Sequence, residues 1–392
     1  MPDSVATMSA CVLHAVGDMR CERVPKPSPA PGHALVRVAF CGVCGSDIPR
    51  VFVKGTYRVP TIIGHEFSGV VEACGSGLDG EVPGSVGGAV PGGVGGFAPG
   101  DRVAVFPLIW CGECPPCEQG KYVQCVDYDY LGSRSDGGFA EYVVAPWRNL
   151  LHVPDEVTLE AAAMTEPAAV ALHALRRAGQ SPLGRSVAIF GAGPVGLMAA
   201  QWARAMGASP IFLFDIMPQK LEMARAMGFS LAFNNRDADP VRTIQSITGQ
   251  DGVTLCVEGA GVPQTFVQAA DCTARGGKMV ILGNPAADVT LPAHLISQLM
   301  RREVDLLGTW NSDYSTAGND DDWRAVLDGM AAGTVNLEPL VTHRVPLRHA
   351  MDALRMMKEG REFYSKVLVY PPLRKQGTSA ISSGSPGADN CG

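Results

Sequence analysis

The sequence has no apolar run near the length of about 20 residues that a membrane-spanning helix needs. It also has no long basic run, and 32 Lys and Arg against 39 Asp and Glu give a net charge of −7. These two absences argue against a membrane or a nucleic acid as the main partner. The N-terminus contains Asp3, His14 and Asp18 instead of a basic start followed by an apolar block. We therefore expect no secretion signal and a cytoplasmic protein.

The composition is that of a globular protein. Apolar residues make up 46% of the 392 residues and charged residues 18%, a balance that disordered chains do not have. The length is too great for one ordinary core and fits two domains. Twelve cysteines in a chain of this length are not a disulfide scaffold. In a reducing compartment they suggest metal ligands, and their spacing decides which ones.

The pattern along the chain changes near residue 160. Before it, short apolar stretches are broken by Gly, Pro and Asp, which is typical of antiparallel strands and turns. After it, apolar strands alternate with helical segments, which is typical of a doubly wound parallel sheet. We predict an α/β protein with a mostly-β domain (1–163 and 311–372) and a parallel-sheet domain (164–310). The glycine-rich segment 79–98 is predicted to be a surface loop, and 373–392 a disordered tail.

Four cysteines are close together in the first domain. Cys111, Cys114, Cys117 and Cys125 form the pattern C-x2-C-x2-C-x7-C. Four thiolates at this spacing satisfy one tetrahedral zinc and leave no position for a substrate, so such a site is structural. The alternatives are free cysteines or an iron–sulfur cluster.

Other potential ligands are dispersed. Cys44 precedes Gly-Ser-Asp, His65 and Glu66 follow Gly64, and Glu166 stands in a Thr-Glu-Pro sequence. Each of these is a weak signal alone, because a single buried Cys or His-Glu pair is more often part of a core. Spacing alone does not decide whether they share a metal.

A dinucleotide fingerprint follows the strand predicted at 187–190. Gly191, Gly193 and Gly196 form G-x-G-x-x-G, with Pro194 and Val195 inside the motif, directly before a helical segment. This context lets a pyrophosphate approach the backbone at the helix N-terminus. Asp215 follows at the end of the next strand, where a carboxylate accepts from both adenosine-ribose hydroxyls and repels a 2′-phosphate. The sequence therefore predicts NAD as the cofactor.

Together, and in this order, these motifs resemble the zinc-dependent medium-chain dehydrogenases over residues 11–370. The resemblance implies a GroES-like catalytic domain, a Rossmann domain and an oxidoreductase that uses zinc and NAD. It is greatest for the polyol branch of the family, and within it for dehydrogenases of phosphorylated hexitols. The stretches around Cys44, Gly64, Gly132 and Ala260 support it.

The resemblance also assigns roles to single residues. It implies that Cys44, His65 and Glu166 hold the catalytic zinc, with Glu66 as a neighbour that binds directly or exchanges with water. Ser46 matches the relay hydroxyl, and Lys220 the lysine that caps the ribose. Cys41 is expected to be a spectator. Many members carry His five residues after the ligand Cys, where this chain has Pro49, so the last step of the relay is open between water and Glu66.

The substrate is predicted to be a polyol or a polyol phosphate. Arg50 and Arg134 match positions in the similar enzymes, and arginine suits phosphate, although solvated surface charge is an equal alternative. Trp310 is expected to form an apolar side of the cleft. The alternative substrates are a free sugar alcohol, butanediol or threonine, and the alternative function is a non-enzymatic binding protein. The family pattern implies a homodimer or homotetramer that pairs through the strand at 304–307.

Overall fold

The computed structural model describes residues 6–75, 96–179, 181–316 and 321–372. The first part of the chain is mostly β-structure with short helices. Its strands are β1 (Thr7–Ala15), β2 (Asp18–Pro25), β3 (His33–Gly42), β4 (Thr61–Ile62), β5 (Glu66–Cys74), β6 (Arg102–Val105), β7 (Leu108–Ile109), β8 (Asp129–Tyr130), β9 (Tyr142–Pro146) and β10 (Leu150–His152). Its helices are α1 (Asp47–Pro49), which continues as a π-helical turn at Arg50–Lys54, α2 (Pro115–Glu118) and α3 (Leu159–Ala162).

The middle of the chain alternates strands and helices after a long connecting helix. In order these are α4 (Thr165–Arg177), β11 (Val187–Phe190), α5 (Pro194–Ala205), β12 (Ile211–Asp215), α6 (Pro218–Ala226), β13 (Ala232–Asn234), α7 (Pro240–Thr248), β14 (Val253–Glu258), α8 (Pro263–Cys272), β15 (Thr273–Ile281), α9 (Ala293–Arg302) and β16 (Asp305–Gly308). The end of the chain forms α10 (Asp322–Ala331), β17 (Val341–Pro346), α11 (Ala350–Glu359) and β18 (Lys366–Tyr370).

The middle segment is a six-stranded parallel sheet in the order β13-β12-β11-β14-β15-β16. This is the doubly wound arrangement, with its switch point between β11 and β14. All four residues of β11 are buried, because helices cover both faces of a parallel sheet and leave no solvent side for polar residues. Ligands of such sheets bind outside the carboxyl ends of the strands at the switch point.

The remaining strands build the other lobe. A seven-stranded sheet runs β10-β6-β5-β3-β18-β17, with β9 also paired to β3, and a three-stranded sheet runs β2-β1-β4. The last strand of the described residues, β18, pairs with β3 at Leu368 and Gly42, so this part of the chain returns to the first lobe. Among the helices of the described residues, none is both long and apolar enough to cross a bilayer.

Two predicted irregular segments fall mainly outside the described residues. Residues 79–95 of the predicted loop and the whole predicted tail, 373–392, are not described. Phe97, near the end of the predicted loop, is buried and stacks on His152 with ring centroids 4.3 Å apart. The aromatic ring of Phe97 therefore joins the core, and the surface loop predicted for the rest of the segment stays a prediction.

Candidate active site and metal centres

The four-cysteine cluster is assembled from one loop around the short helix α2. Four of the six Sγ–Sγ separations lie between 3.4 and 4.0 Å. A tetrahedral zinc with Zn–S bonds of about 2.3 Å needs sulfurs about 3.8 Å apart, so the four side chains fit this ion. Three of the sulfurs belong to buried residues (Cys114, Cys117 and Cys125). A closed set of four thiolates holds a loop in place and offers no open coordination position.

Arg148 is the cation next to this cluster. Its guanidinium carbon lies 4.3 Å from the centroid of the Trp110 ring, and its Nη2 donates to the Trp110 carbonyl at 2.7 Å. A Cβ added to Gly112, beside the first ligand, would lie 4.0 Å from Arg148 Nη1. Burial lowers the pKa of Arg148, and the nearby Cys117 opposes this change. The side chain therefore places a positive charge beside a group of thiolates.

The second cluster combines different ligand types from separate segments. Cys44 follows β3, and His65 and Glu66 lie at the start of β5; their ligand atoms all lie within 4.8 Å of one another. His65 and Glu66 are buried, and His65 Nδ1 makes no hydrogen bond within the part of the chain that the structure describes. Thiolate, imidazole and carboxylate are zinc ligands, and a set of three leaves one position open. These residues therefore fit a catalytic zinc.

A buried carboxylate, Asp47, organises this cluster from behind. Its Oδ2 accepts the backbone N–H of Cys44 at 3.0 Å, and its Oδ1 lies 3.6 Å from His65 Nδ1. Arg50 Nη1 donates to Asp47 Oδ1 at 3.2 Å and to Ser46 Oγ at 2.7 Å. Ser46 Oγ in turn donates to Cys44 Sγ at 3.1 Å. The Asp47 carboxylate therefore binds the backbone of Cys44 and lies next to the His65 ring.

Glu66 has a second partner from the far end of the sequence. Its carboxylate forms an ion pair with Lys366, at the start of β18, and both residues are buried. Burial is the largest single influence on the pKa of Lys366 and would lower it. The charge and hydrogen bond of Glu66, together with the nearby Cys44 and Glu166, outweigh burial, so the pKa is raised. The lysine is therefore charged, and the Glu66 carboxylate is held against it.

Glu166 lies beside the second cluster, but its carboxylate is not within the group of ligand atoms, all within 4.8 Å of one another, that Cys44, His65 and Glu66 form. It stands in the first turn of α4, where its Oε1 accepts from the Tyr130 hydroxyl at 3.3 Å. The Tyr130 ring meets the His65 ring edge-on, with centroids 5.7 Å apart. Burial raises the pKa of Glu166 to about 7. A bound cation would restore its charge.

The fingerprint glycines have the geometry that a pyrophosphate site requires. Gly191 has a φ of +100°, and a Cβ added to Gly196 would lie 1.8 Å from the Gly191 oxygen. Both positions therefore exclude a side chain. Gly193 caps α5, and a Cβ added there would meet nothing within 4 Å. Its backbone faces open space at a helix N-terminus, where phosphate groups bind.

Asp215 ends β12 beside this turn and is buried. Its carboxylate accepts the backbone N–H of Ala192 at 2.8 Å and that of Met217 at 2.9 Å. Lys220 Nζ lies 3.5 Å from Asp215 Oδ2. The structure therefore brings the predicted carboxylate and the predicted lysine together at the carboxyl end of the sheet.

One cavity of about 670 Å³ connects the fingerprint with the second cluster. Residues 193–196 and Lys220 line one part of it, and Cys44 and Glu66 line another. Residues 357–366, which lead from α11 into β18, form a further wall. A molecule that fills this cavity touches the fingerprint turn and the ligand cluster at the same time.

The three residues predicted to contact substrate have different surroundings. Arg50 is engaged by Ser46 and Asp47 within the cluster. The Arg134 guanidinium lies between two aromatic rings, 4.3 Å from the centroids of both Tyr57 and Tyr128. Trp310 is 63% exposed and does not line the cavity described above.

Two family descriptions match the chain. "Alcohol dehydrogenase GroES-like domain" matches residues 30–155, and "Zinc-binding dehydrogenase" matches residues 194–332. Galactitol 1-phosphate 5-dehydrogenase of Escherichia coli strain K12 is 34% identical over 336 residues, which cover 86% of this chain and 92% of the relative. The chain belongs to the zinc-dependent medium-chain dehydrogenases.

Further similarities place this dehydrogenase among relatives that act on polyols. Sorbitol dehydrogenase of Bacillus subtilis strain 168 is 33% identical and covers 93% of this chain and 97% of the relative. The crystal structure of galactitol-1-phosphate dehydrogenase from Escherichia coli has a TM-score of 0.82 and 33% identity, and it covers 93% of this chain and 100% of that chain. The predicted family and the predicted fold are confirmed, and the protein is an oxidoreductase. Zinc and a nicotinamide cofactor are typical of the family.

Sequence reasoning missed three partners of the site. Asp47 could have been found, since it belongs to the same Cys-Gly-Ser-Asp motif as Cys44. Tyr130 had no local signal, because nothing in its neighbourhood points to a carboxylate 36 residues later. Lys366 had a weak one: it is a charged residue at the start of an apolar strand, where a buried partner is required.

Proposed function

We propose that this dehydrogenase oxidises a secondary hydroxyl of a polyol or polyol phosphate to the ketone and reduces NAD. The observation that supports this most is the single cavity lined by both the fingerprint turn and the Cys44 cluster. Hydride transfer needs the cofactor and the alcohol to meet, and this cavity provides that meeting place. A binding protein without enzymatic activity would have no use for it.

We propose Cys44, His65 and Glu166 as the catalytic zinc ligands, with Glu66 as the alternative carboxylate. Zinc, when bound, acts as a Lewis acid that lowers the pKa of a coordinated hydroxyl. The chain's own residues then position and deprotonate the alcohol. Asp47 holds the backbone of Cys44 through a hydrogen bond at 3.0 Å, and Arg50 holds Ser46 Oγ in place at 2.7 Å. Ser46 is the proposed first acceptor of the substrate proton, and water or Glu66 takes it further, because Pro49 has no proton-accepting group.

The preference for NAD is proposed from Asp215. A buried carboxylate at the end of β12 repels a 2′-phosphate, and Lys220 beside it can contact the ribose. We expect Asp215→Ser to weaken NAD binding about 10- to 100-fold, the value of one or two hydrogen bonds to a charged group, and to improve NADP relative to NAD. The two dissociation constants are measured by fluorescence titration. An unchanged ratio would exclude Asp215 as the ribose ligand.

A comparison of substrates tests whether the enzyme recognises a phosphate group. NAD reduction by the zinc-loaded protein is compared for galactitol 1-phosphate, galactitol, sorbitol, butanediol and threonine. A preference for the phosphorylated polyol of about 100-fold in kcat/KM, worth about 2.7 kcal/mol, would indicate a cationic phosphate site. Equal or better turnover of a free polyol would make the protein a sorbitol-type enzyme.

Arg134 is the residue to test first for that phosphate. Arg50 already binds Ser46 and Asp47, so its replacement would affect every substrate. Arg134→Met should lower kcat/KM only for phosphorylated substrates. The matched control is Arg58→Met, which removes an exposed arginine paired with Asp136 in the same region. Equal losses for free and phosphorylated polyols would contradict a phosphate contact.

The quaternary and domain assignments are part of the same proposal. The division into 1–163 with 311–372 and 164–310, the cytoplasmic location and the homodimer or homotetramer stay predictions. The edge position of β16 supports self-association: its backbone is unpaired on one side within the described residues, and Leu306 is half-exposed. Light scattering after size exclusion tests it, and a monomer at micromolar concentration would contradict it.

A further inference from the structure

Two cysteines that belong to neither ligand cluster face each other on adjacent strands. Cys11 of β1 and Cys21 of β2 are register partners in an antiparallel pair, and their sulfurs lie 3.0 Å apart. Within the described residues, neither belongs to a group that could hold a metal ion. The function proposed above uses neither of them.

The strand register brings these two positions as close as a sheet allows. The Lys26 N–H donates to the Ala6 carbonyl at 2.8 Å, and hydrogen-bonded pairs alternate along the ladder from there. Counting from this pair, Cys11 and Cys21 form one of the pairs that are not hydrogen-bonded to each other. Accordingly, the Cys11 N–H points away from β2 and donates to the Phe139 carbonyl at 2.8 Å. Non-hydrogen-bonded pairs have Cα atoms about 4.5 Å apart, within the range of about 4.4–6.8 Å that a disulfide spans.

The two thiols differ in accessibility. Cys11 is 1% exposed, and its Sγ also lies 3.1 Å from the Leu347 carbonyl. Cys21 is exposed and lines a cavity of about 260 Å³ whose charged lining residues are Glu22, Arg23 and Arg348. The hydrogen bond from Cys11 lowers the pKa of Cys21, and the same contact raises the pKa of Cys11. Thiols that react with oxidants are accessible and have thiolate character, and Cys21 is exposed and has a lowered pKa.

We propose that Cys11 and Cys21 form a reversible cross-strand disulfide when a hydroperoxide enters the cavity beside Cys21. The Cys21 thiolate attacks the peroxide, the O–O bond breaks, and Cys21 becomes a sulfenic acid while the alkoxide or hydroxide leaves and takes up a proton. The Cys11 thiol then attacks the Cys21 sulfur, the S–O bond breaks, and water leaves. In sum, two thiols and one hydroperoxide give one disulfide, one alcohol and one water.

The proposed modification does not depend on the dehydrogenase function. The bond would tie β1 to β2, which are already paired along their length, so little backbone movement is needed. We therefore expect the oxidised protein to keep its activity and to melt a few °C higher, because the bridge restricts the unfolded chain. The pair would also consume peroxide that would otherwise reach the metal-ligand thiols.

Peptide mapping of the zinc-loaded full chain tests the proposal directly. The protein is treated with hydrogen peroxide below the dose that releases zinc, alkylated, and digested with trypsin. Because Arg20 separates the two cysteines, a bridge joins peptide 1–20 to peptide 21–23 with the loss of two hydrogen atoms. We expect this linked species in most molecules, its loss on treatment with dithiothreitol, and its absence in Cys21→Ser. Cys74→Ser, which removes another half-buried thiol, should leave it unchanged.

Several outcomes would overturn the proposal. One is recovery of both cysteines as alkylated free thiols from the peroxide-treated wild type. Another is conversion of Cys21 to a sulfinic acid without a linked peptide, which would show that Cys11 does not resolve the sulfenic acid. The wild-type map alone decides the matter, so a folding defect in a variant does not obscure it.

Discussion

The described part of the chain contains two ligand clusters that include cysteine, and they are built in opposite ways. In the first, one loop supplies Cys111, Cys114, Cys117 and Cys125, and none of them lines the 670 Å³ cavity. In the second, Cys44 and Glu66 come from different elements and both line it. Four ligands from one loop can surround an ion completely and stabilise that loop. Ligands from separate elements come together where those elements meet, and a fourth coordination position can then open to a cavity.

The largest expected effect is the loss of activity when Cys44 of the second cluster is replaced, compared with replacement of the neighbouring Cys41. Cys44→Ala should lower kcat about 10³-fold or more, equivalent to about 4 kcal/mol, because the zinc that activates the alcohol is lost. NAD affinity should change little. Cys41→Ala is the matched control: Cys41 is buried three residues earlier and is outside the ligand group, so activity should fall only a few-fold. Equal losses of kcat in the two variants would contradict the assignment of Cys44, and not Cys41, as the zinc ligand.

Replacing a cysteine of the first cluster should lower the stability of the protein without lowering the activity of the folded molecules. Cys125→Ser should lower the free energy of unfolding by about 3 kcal/mol, because the binding energy of a structural zinc is also folding energy. Activity per folded molecule should stay near that of the wild type. Cys74→Ser controls for the loss of a thiol outside both clusters. Thermal unfolding and zinc content are measured together. A selective loss of kcat at unchanged stability would mean that this cluster takes part in catalysis.

A smaller effect should distinguish the roles of the two carboxylates at the second cluster, Glu66 and Glu166. We expect Glu166→Gln to lower zinc affinity about 10- to 100-fold, as expected for a weakened ligand. Glu66→Gln should lower stability more than zinc affinity, because it leaves the buried Lys366 charge without its partner. Zinc titration and thermal unfolding of both variants check this. The reverse result would make Glu66 the third ligand.

The smallest expected effect concerns the cation beside the first cluster. Arg148→Met should speed the loss of zinc to a chelator a few-fold, because a positive charge next to the thiolates is removed. Arg204→Met is the matched control. The Arg204 guanidinium also covers an aromatic ring (Phe229, 4.5 Å) and donates to a backbone carbonyl, that of Met227. It has no thiolate cluster beside it within the described residues. Equal rates of zinc loss in both variants would show that Arg148 acts only through packing.

The sequence predicts the parts of the site that depend on local spacing. The four cysteines lie within one loop, and Gly191, Gly193, Gly196 and Asp215 lie in one strand–helix–strand unit, so motif geometry alone brings them together. The pairs that depend on tertiary packing were not predictable. Glu66 meets Lys366 across 300 residues, and Tyr130 meets Glu166 through the placement of α4. Trp310 is exposed, and its predicted place at an apolar side of the cleft stays a prediction.

The pairing of β18 with β3 has a consequence for synthesis on the ribosome. Cys44, His65 and Glu66 emerge early, but the lysine that neutralises Glu66 belongs to the last strand. At about 5–20 residues per second, the 300 residues between Glu66 and Lys366 take roughly 15–60 s to translate. During that interval the early ligands are exposed to metal ions without the strand and the cation that complete their surroundings. The nascent chain therefore passes through a period in which the residues of the proposed catalytic zinc site have been made but the strand that completes their surroundings has not.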